Sequence, residues 1–276
     1  MDDILFMTWL PYIIGLIATG AVAGILSGLL GVGGGIVTVP VLFWVFNALG
    51  YPAGLGMQIA VGTSLLAVSA TAYSSAKAHH SRGSVDMGIL RRWALPMILG
   101  AASGGAVAGL VNGAVLLLVF GCIALLVAWN MARPVTVTLG ADLPEGKAAQ
   151  PVMAAGVGFV SSMMGIGSGT LGVPLMTAFS VPVHRAVGTA AALGFMIGAP
   201  GAVVMLILGL GVANRPPLSL GFISLPAIAL ILPLSILCAP VGARLAHALS
   251  PVWIKRAFAV FLALTALRML TSAFGA

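Results

Sequence analysis

Two glycine-rich stretches in apolar sequence carry the groups best able to bind a ligand. The first, at 31–40, reads GVGGGIVTVP, and the second, at 165–174, reads GIGSGTLGVP and follows it by 134 residues, close to half of the chain. Irregular backbone at membrane depth is tolerated only where it is buried in protein or lines a cavity. Two such breaks at matching places in two halves indicate a substrate site between those halves.

The chemistry that these breaks offer is anion binding by uncharged groups. A helix that restarts after a break has N–H groups without intrahelical acceptors in its first turn. Those N–H groups and the positive end of the helix dipole attract anions, and glycine lets the ligand approach because it has no Cβ. Hydroxyls or an amide in and near the next helices could complete the lining. The predicted substrate-binding residues are Gly33, Gly34, Gly35, Thr38, Gln58, Thr63, Ser64, Gly167, Ser168, Gly169, Thr170 and Thr189.

The elements that must position these residues are membrane helices. The chain has 276 residues, of which 61% are hydrophobic and 6% are charged, whereas soluble domains carry about 25% charged residues. Several stretches reach roughly 20 apolar residues, enough to cross a hydrocarbon core of about 30 Å. We therefore predict an all-α polytopic membrane protein whose partner is the lipid bilayer. The net charge of +7 does not indicate nucleic-acid binding, because the basic residues are scattered over short loops and form no patch.

The apolar segments fall into two series around one polar linker. They lie at 10–30, 36–49, 57–76, 89–110 and 114–132, and again at 150–164, 170–181, 186–210, 218–238 and 252–272, with a short piece at 240–250. Matched blocks extend the glycine repeat, since AVGTS at 60–64 corresponds to AVGTA at 186–190, and Gly104 to Gly242. The chain therefore divides into a first repeat at 1–132, a cytoplasmic linker at 133–149 and a second repeat at 150–276.

The number of crossings decides how the repeats are oriented. If the short segment after each break does not cross the membrane fully, each half makes four crossings and the two repeats are parallel. If that segment does cross, each half makes five crossings and the two repeats are inverted. This gives eight to ten membrane segments. The basic loop region at 77–92 is predicted to be cytoplasmic. Inversion then also places Arg185, Arg244, Lys255 and Arg256 inside, so the charges favour inverted repeats.

Close packing is the alternative explanation for glycines. The stripes Gly20, Gly24, Gly28 and Gly100, Gly104, Ala108 have the spacing of helix–helix contact faces. The triple glycine at 33–35 differs, because each glycine disfavours a continuous helix by about 1 kcal/mol relative to alanine.

The sequence SGLLGVGGG at 27–35 followed by Val39-Pro40, its looser copy at 165–174 and the paired Gly-Thr blocks resemble the sulfite exporter TauE/SafE family of membrane permeases. The resemblance covers about residues 12–272. It implies transport of sulfite, sulfonates or related sulfur-containing or organic anions across a bacterial cytoplasmic membrane, by a multi-pass protein that is not an enzyme. Ser168 replaces the middle glycine of the second copy, so we expect two unequal half-sites.

The remaining polar residues suggest no cofactor and no metal site. His79 and His80 are expected to be solvated in the basic loop, and Asp86 to form a local ion pair. His184 and Arg185 could attract an anion at the cytoplasmic mouth. A non-transporting membrane scaffold or assembly factor stays open, as does a soft-metal transporter because of the 13 methionines, and so does a homo-oligomer.

Overall fold

The computed structural model describes residues 2–31, 33–132, 138–144, 146, 148–248 and 251–274, and in these ranges the side chains of 2–9, 246–248 and 251–258 are not described. The basic residues predicted to lie inside include Lys255 and Arg256, and the predicted linker spans residues 133–149. Those two side chains, and linker residues 133–137, 145 and 147, lie outside the described part of the chain.

The described residues form a helical bundle with one small hairpin. The elements are α1 (Asp2–Leu30), α2 (Gly35–Ala48), α3 (Ala53–His80), α4 (Met87–Leu110), α5 (Gly113–Ala132), α6 (Ala149–Met163), α7 (Gly169–Ala178), α8 (Val183–Gly209), β1 (Ser219–Leu220), β2 (Ile223–Ser224), α9 (Leu225–Ala248) and α10 (Pro251–Phe274).

Local sequence explains where several helices begin. Pro52 and Pro182 stand directly before α3 and α8, where the missing N–H removes no helical hydrogen bond. Asp86 caps α4, because its Oδ1 accepts hydrogen bonds from the N–H groups of Gly88 and Ile89 at 2.9 and 3.1 Å.

The prediction of an all-α polytopic membrane protein is confirmed. Six helices of the described chain are long and apolar enough to cross a membrane, and two apolar helices, Gly35–Ala48 and Ala259–Phe274, are shorter. The helices that follow the breaks contain 14 and 10 residues, so they extend about 21 and 15 Å at 1.5 Å per residue. Neither is long enough by itself to cross a core of about 30 Å.

One segment boundary in the sequence prediction is wrong. The separate apolar pieces at 218–238 and 240–250 are replaced by a single helix, α9, which contains Pro240 in its interior, since neighbouring helices in a membrane bundle can satisfy the backbone group that a proline frees. Residues 219–224 form an antiparallel hairpin instead, in which Ser219 pairs with Ser224 and Leu220 with Ile223.

Small residues bring the long helices into close contact, as predicted for both stripes. A Cβ added to Gly24 of α1 would lie 2.9 Å from Ser235 Cα in α9, and one added to Gly104 of α4 would lie 2.9 Å from Phe159 Cα in α6. Only glycine permits such an approach between helix backbones.

The contacts between helices occur in matched pairs with the roles of the two halves exchanged. α1 packs on α9 as α6 packs on α4, while α3 pairs with α8 and α5 with α10. Gly62 of α3 abuts the carbonyl of Phe222 just before α9, and Gly188 of α8 abuts the carbonyl of Ser84 just before α4. A two-fold axis between two repeats would produce this exchange, and the division at 133–149 stays a prediction.

Several helix ends meet at one end of the bundle, which we call the basic end. α1 and α3 finish there side by side, because His79 Nε2 lies 2.8 Å from Gly28 O. α4, α6 and α8 begin there, since the Asp86 N–H donates to Thr189 Oγ1 at 2.8 Å and Trp93 Nε1 donates to Gln150 Oε1 at 3.4 Å. α1 therefore ends at the basic end and α6 begins there, so these matched helices run in opposite directions, as inverted repeats require. The exposed basic residues of this end include Lys77, His80, Arg82, Arg91, Arg92, His184, Arg185 and Arg244.

Candidate functional site

The first break depends on glycine for its backbone conformation. Gly31, Gly33 and Gly34 have φ values of +67°, +74° and +75°, a left-handed region that costs other L-residues roughly 1–2 kcal/mol each. α1 ends at Leu30 and α2 restarts at Gly35. A Cβ on Gly34 would lie 2.6 Å from Ala23 O, so the chain has turned back along α1 by seven residues, about 11 Å. The new helix therefore starts well inside the bundle.

The second break has a different conformation at the position that matches Gly34. Gly165 has φ +72°, but Ser168 has φ −62° and ψ −24° and is already helical directly before α7. A serine side chain makes the left-handed conformation of Gly34 unfavourable. The two half-sites thus differ in backbone geometry at this position.

The two breaks touch each other. A Cβ on Gly33 would lie 3.3 Å from Gly167 Cα, and one on Gly35 would lie 2.8 Å from Ile166 Cα and against the carbonyl of Gly165. Ser64 of α3 binds the second break, because its hydroxyl donates a hydrogen bond to Gly165 O at 2.7 Å. All of these residues are buried, so the breaks lie inside the protein and not against lipid.

The start of α7 offers donors that the described part of the chain does not use. The N–H groups of Gly169, Thr170 and Leu171 have no acceptor there, and the first bonded amide is Gly172, which donates to Ser168 O. The Thr170 hydroxyl also lacks a partner within the described residues, although the side chain is only 3% exposed. Buried polar groups are nearly always hydrogen-bonded, so unused donors at a helix start indicate a place where a ligand can accept.

The hydroxyls of Thr38 and Ser168 already have acceptors. Thr38 Oγ1 donates to Gly34 O at 3.2 Å, and Ser168 Oγ donates to Ala190 O in α8. These two bonds connect each new helix to its own break or to the neighbouring long helix.

Three other predicted site residues form their hydrogen bonds with groups outside the breaks. Thr63 Oγ1 accepts from the Ser224 N–H at 2.9 Å, and Thr189 Oγ1 accepts from the Asp86 N–H at 2.8 Å. These threonines anchor the starts of α9 and α4. Gln58 Nε2 donates to Gly109 O and Val111 O, both at 3.2 Å, and so caps the carboxyl end of α4. Their role in binding stays a prediction.

Two hydroxyls that the sequence analysis did not select lie one turn before the breaks. Ser27 Oγ near the end of α1 and Ser161 Oγ near the end of α6 are buried and have no partner among the described residues. They occupy matching positions, because the spacing between them is again 134 residues. The repeat itself could have identified this pair, since SGLLG at 27–31 corresponds to SSMMG at 161–165.

The expectation for His79 is wrong. His79 belongs to the last turn of α3, is only 1% exposed and lies with Nε2 2.8 Å from Gly28 O, whereas His80 is exposed. The helix extends further than the apolar segment, and one face of its last turn packs on α1. Asp86 forms an ion pair, but its partner is Arg185 of α8 at 3.9 Å and not a residue of the basic loop as expected. No group of three His, Cys, Asp or Glu that could hold a metal occurs among the described residues.

Comparison with known proteins agrees with this architecture. The family model "Sulfite exporter TauE/SafE" matches residues 16–269. A protein of Haemophilus influenzae named "Probable membrane transporter protein" is 31% identical over 253 residues, which cover 91% of this chain and 95% of that protein. Proteins with similar names from Methanocaldococcus jannaschii (28% identical over 96% of this chain and 97% of that protein) and Bacillus subtilis (29% identical over 70% and 78%) also match. No solved structure matches significantly. With its multi-pass helical bundle and a family match over nearly its whole length, the chain belongs to the sulfite exporter TauE/SafE family.

Proposed function

We propose that this protein transports small oxyanions, sulfite and organosulfonates first among them, through a site formed where its two breaks meet. The observation that carries the proposal is the buried start of α7, where three N–H groups and the Thr170 hydroxyl have no acceptor within the described chain. This helix start closely follows residues 165–167, which touch the first break. The family supports the substrate class. The proposed setting is a bacterial cytoplasmic membrane, with the basic end inside.

Uncharged donors suit an anion that must both enter and leave. The aligned peptide dipoles of a helix act as roughly +0.5 of an elementary charge at its N-terminus, and α2 and α7 bring two such termini together. A lysine or arginine at the membrane centre would cost roughly 2.5–3.5 kcal/mol on insertion scales and would hold the anion as a fixed ion pair. Amides and hydroxyls can coordinate the oxygens of sulfite or a sulfonate without that cost.

Transport requires the two breaks to separate, because their backbones are now in contact. We infer alternating access, in which the halves rock around the breaks. The contact at Gly33 and Gly167 contains no side chain, so opening it removes little packing. The bond of Ser168 would keep the second break attached to α8 of its own half, whereas the bond from Ser64 joins the two halves and would have to open during the motion.

The chain offers no carboxylate within its membrane-length segments for proton coupling. All five acidic residues stand before the first span, at the start of α4 or in the linker. A monoanion that leaves a negative-inside cell gains about 2.3 kcal/mol per 100 mV. We therefore propose uniport that favours export, without a coupling ion.

The test is flux in proteoliposomes that contain the purified full-length protein. We expect saturable uptake of labelled sulfite or a short alkanesulfonate that changes with an imposed potential. Thr170→Val removes the unpartnered hydroxyl at nearly constant shape and should lower kcat/KM for the anion severalfold. Thr177→Val is the matched control, because the Thr177 hydroxyl donates only to carbonyls of its own helix at 2.9 and 3.0 Å. Equal flux in the two variants would remove Thr170 from the site.

The same assay separates the alternatives. A scaffold or assembly factor would give no flux of any anion. A soft-metal transporter would move Cu(I) and not sulfite; the buried Met163 and Met164 beside the second break are the feature that favours it, although methionine is also an ordinary core residue.

A further inference from the structure

A cavity of about 890 Å³ opens at the basic end, outside the breaks. Its walls come from the starts of α4, α6 and α8 together with linker residues 141–143 and 146 and the loop 179–182. Among the described residues, the charged and amide side chains that line it are Asp86, Arg92, Asp142, Gln150 and Arg185.

The field in this cavity favours anions at one wall in particular. α8 and α6 begin there without a side-chain cap, so the positive ends of both helices face the cavity. Arg185 lies in the first turn of α8 and is 56% exposed. Its partner Asp86 is already engaged, because its Oδ1 caps α4 and the carboxylate lies 3.9 Å from the guanidinium, at the outer limit of an ion pair.

This wall is connected to the second break through one short stretch of α8. Arg185 and Ala190 are five residues apart, about 7.5 Å along the helix. Within this stretch, Thr189 accepts a hydrogen bond from the Asp86 N–H. The carbonyl of Ala190 accepts one from the Ser168 hydroxyl of the second break. A change at the Asp86–Arg185 pair is therefore mechanically close to the proposed substrate site.

At the opposite end of the bundle, the position that matches Asp86 carries no charge. That position is Ser224, which is 4% exposed and donates its N–H to Thr63 of α3. Asp86 donates its N–H to Thr189 of α8 in the same way. The start of α9 thus carries a neutral, buried serine, whereas the start of α4 carries a carboxylate that pairs with an arginine lining the cavity.

We propose that the cavity is an anion-binding vestibule, in which Arg185 exchanges its pairing with Asp86 for pairing with the transported oxyanion. The inference rests on the proposed function, because it gives that anion a second site on its path. The vestibule concentrates the anion at the basic end, and the carboxylate of Asp86 competes with it for the arginine.

Charge variants of the full chain test the exchange. Arg185→Gln should raise KM for sulfite presented at the basic end by about two- to fivefold, the range for a partly exposed charge pair, and should reduce the dependence of KM on ionic strength. Asp86→Asn should lower that KM by a similar factor, because asparagine still caps α4 and no longer competes for Arg185. Arg91→Gln is the matched control, since Arg91 is an exposed arginine at the basic end that is not among the residues lining the cavity.

Two further measurements make each outcome decisive. The double variant Asp86→Asn/Arg185→Gln should lose the gain of Asp86→Asn, because the gain requires the arginine. Calorimetric titration of the purified proteins with sulfite gives a readout that does not need transport. If the wild type moves no sulfur anion, the proposed function fails, and the vestibule is then judged by whether Arg185→Gln weakens sulfite binding. The vestibule proposal is overturned if Arg185→Gln has the same sulfite affinity and the same KM as Arg91→Gln.

Discussion

Replacement of Gly35 by alanine probes the contact between the two breaks directly. Gly35 is the first residue of α2, so its helical backbone accepts alanine without strain in φ. The added methyl would press on the carbonyl of Gly165 and would lie 2.8 Å from Ile166 Cα and 2.9 Å from Val68 Cγ2. Two of these three neighbours are backbone atoms of the second break, which cannot rotate away.

The size of the effect follows from these distances. Carbon atoms pack best at about 3.5–4.0 Å, so the second break must move away by roughly 0.7 Å. Overpacking of this kind costs about 1–3 kcal/mol, and the helix preference of alanine returns at most about 1 kcal/mol. We expect a net loss between about 0 and 3 kcal/mol in the free energy of unfolding. We also expect a loss of anion flux, because the two helix starts no longer meet in register.

The assay compares Gly35→Ala with Gly172→Ala. A Cβ on Gly172 of α7 would meet its nearest atoms at 3.8 and 3.9 Å, ordinary contact distances, so this variant should be as stable as the wild type or gain up to about 1 kcal/mol. Thermal unfolding in detergent and flux in proteoliposomes are measured on both. If Gly35→Ala unfolds and transports like Gly172→Ala, the close approach of the breaks is refuted.

Three further substitutions test the bonds that position the site. Ser64→Ala removes the buried 2.7 Å bond to the second break and should lower stability by about 1 kcal/mol, whereas Ser81→Ala, which removes an exposed local bond, should leave the unfolding temperature unchanged. Asp86→Ala should lose about 1 kcal/mol through the missing cap of α4, while Asp86→Asn should stay near the wild type; equal losses would contradict the capping role. Arg215→Gln removes donors to two carbonyls just after α8, at 2.8 and 3.0 Å, and to one in the hairpin turn, at 3.4 Å, and should cost about 1–3 kcal/mol. An unfolding temperature like that of Arg82→Gln, which loses one exposed bond, would show that Arg215 is dispensable.

The breaks themselves could be predicted because their cause is local. Three consecutive glycines at 33–35 disfavour a helix wherever they stand, and two of them adopt the left-handed conformation that glycine permits. The helix–helix contacts of the small-residue stripes could also be predicted, since a spacing of four residues puts glycines on one helix face. The unequal conformation of Ser168 also follows from its side chain alone.

The partners of the polar residues could not be predicted, because they depend on distant parts of the chain. Thr63 accepts from a residue 161 positions away, and Ser64 donates to one 101 positions away. The sequence placed Gln58, Thr63 and Thr189 in the second helix after each break. Spacing alone cannot distinguish a ligand-binding role from an anchoring role at such positions. His79 was misjudged for the same reason, since only the packing of α3 on α1 buries it.

The sequence alone determined that this is a helical membrane protein with two glycine breaks, because apolar length, sparse charge and backbone preference are properties of short stretches of chain. Only the tertiary structure decided that the breaks touch, that Thr170 and the first amides of α7 lack acceptors within the described chain, and that Asp86 pairs with Arg185 at the wall of a cavity. Those are relations between atoms far apart in sequence, and they exist only once the long helices have packed through their glycines.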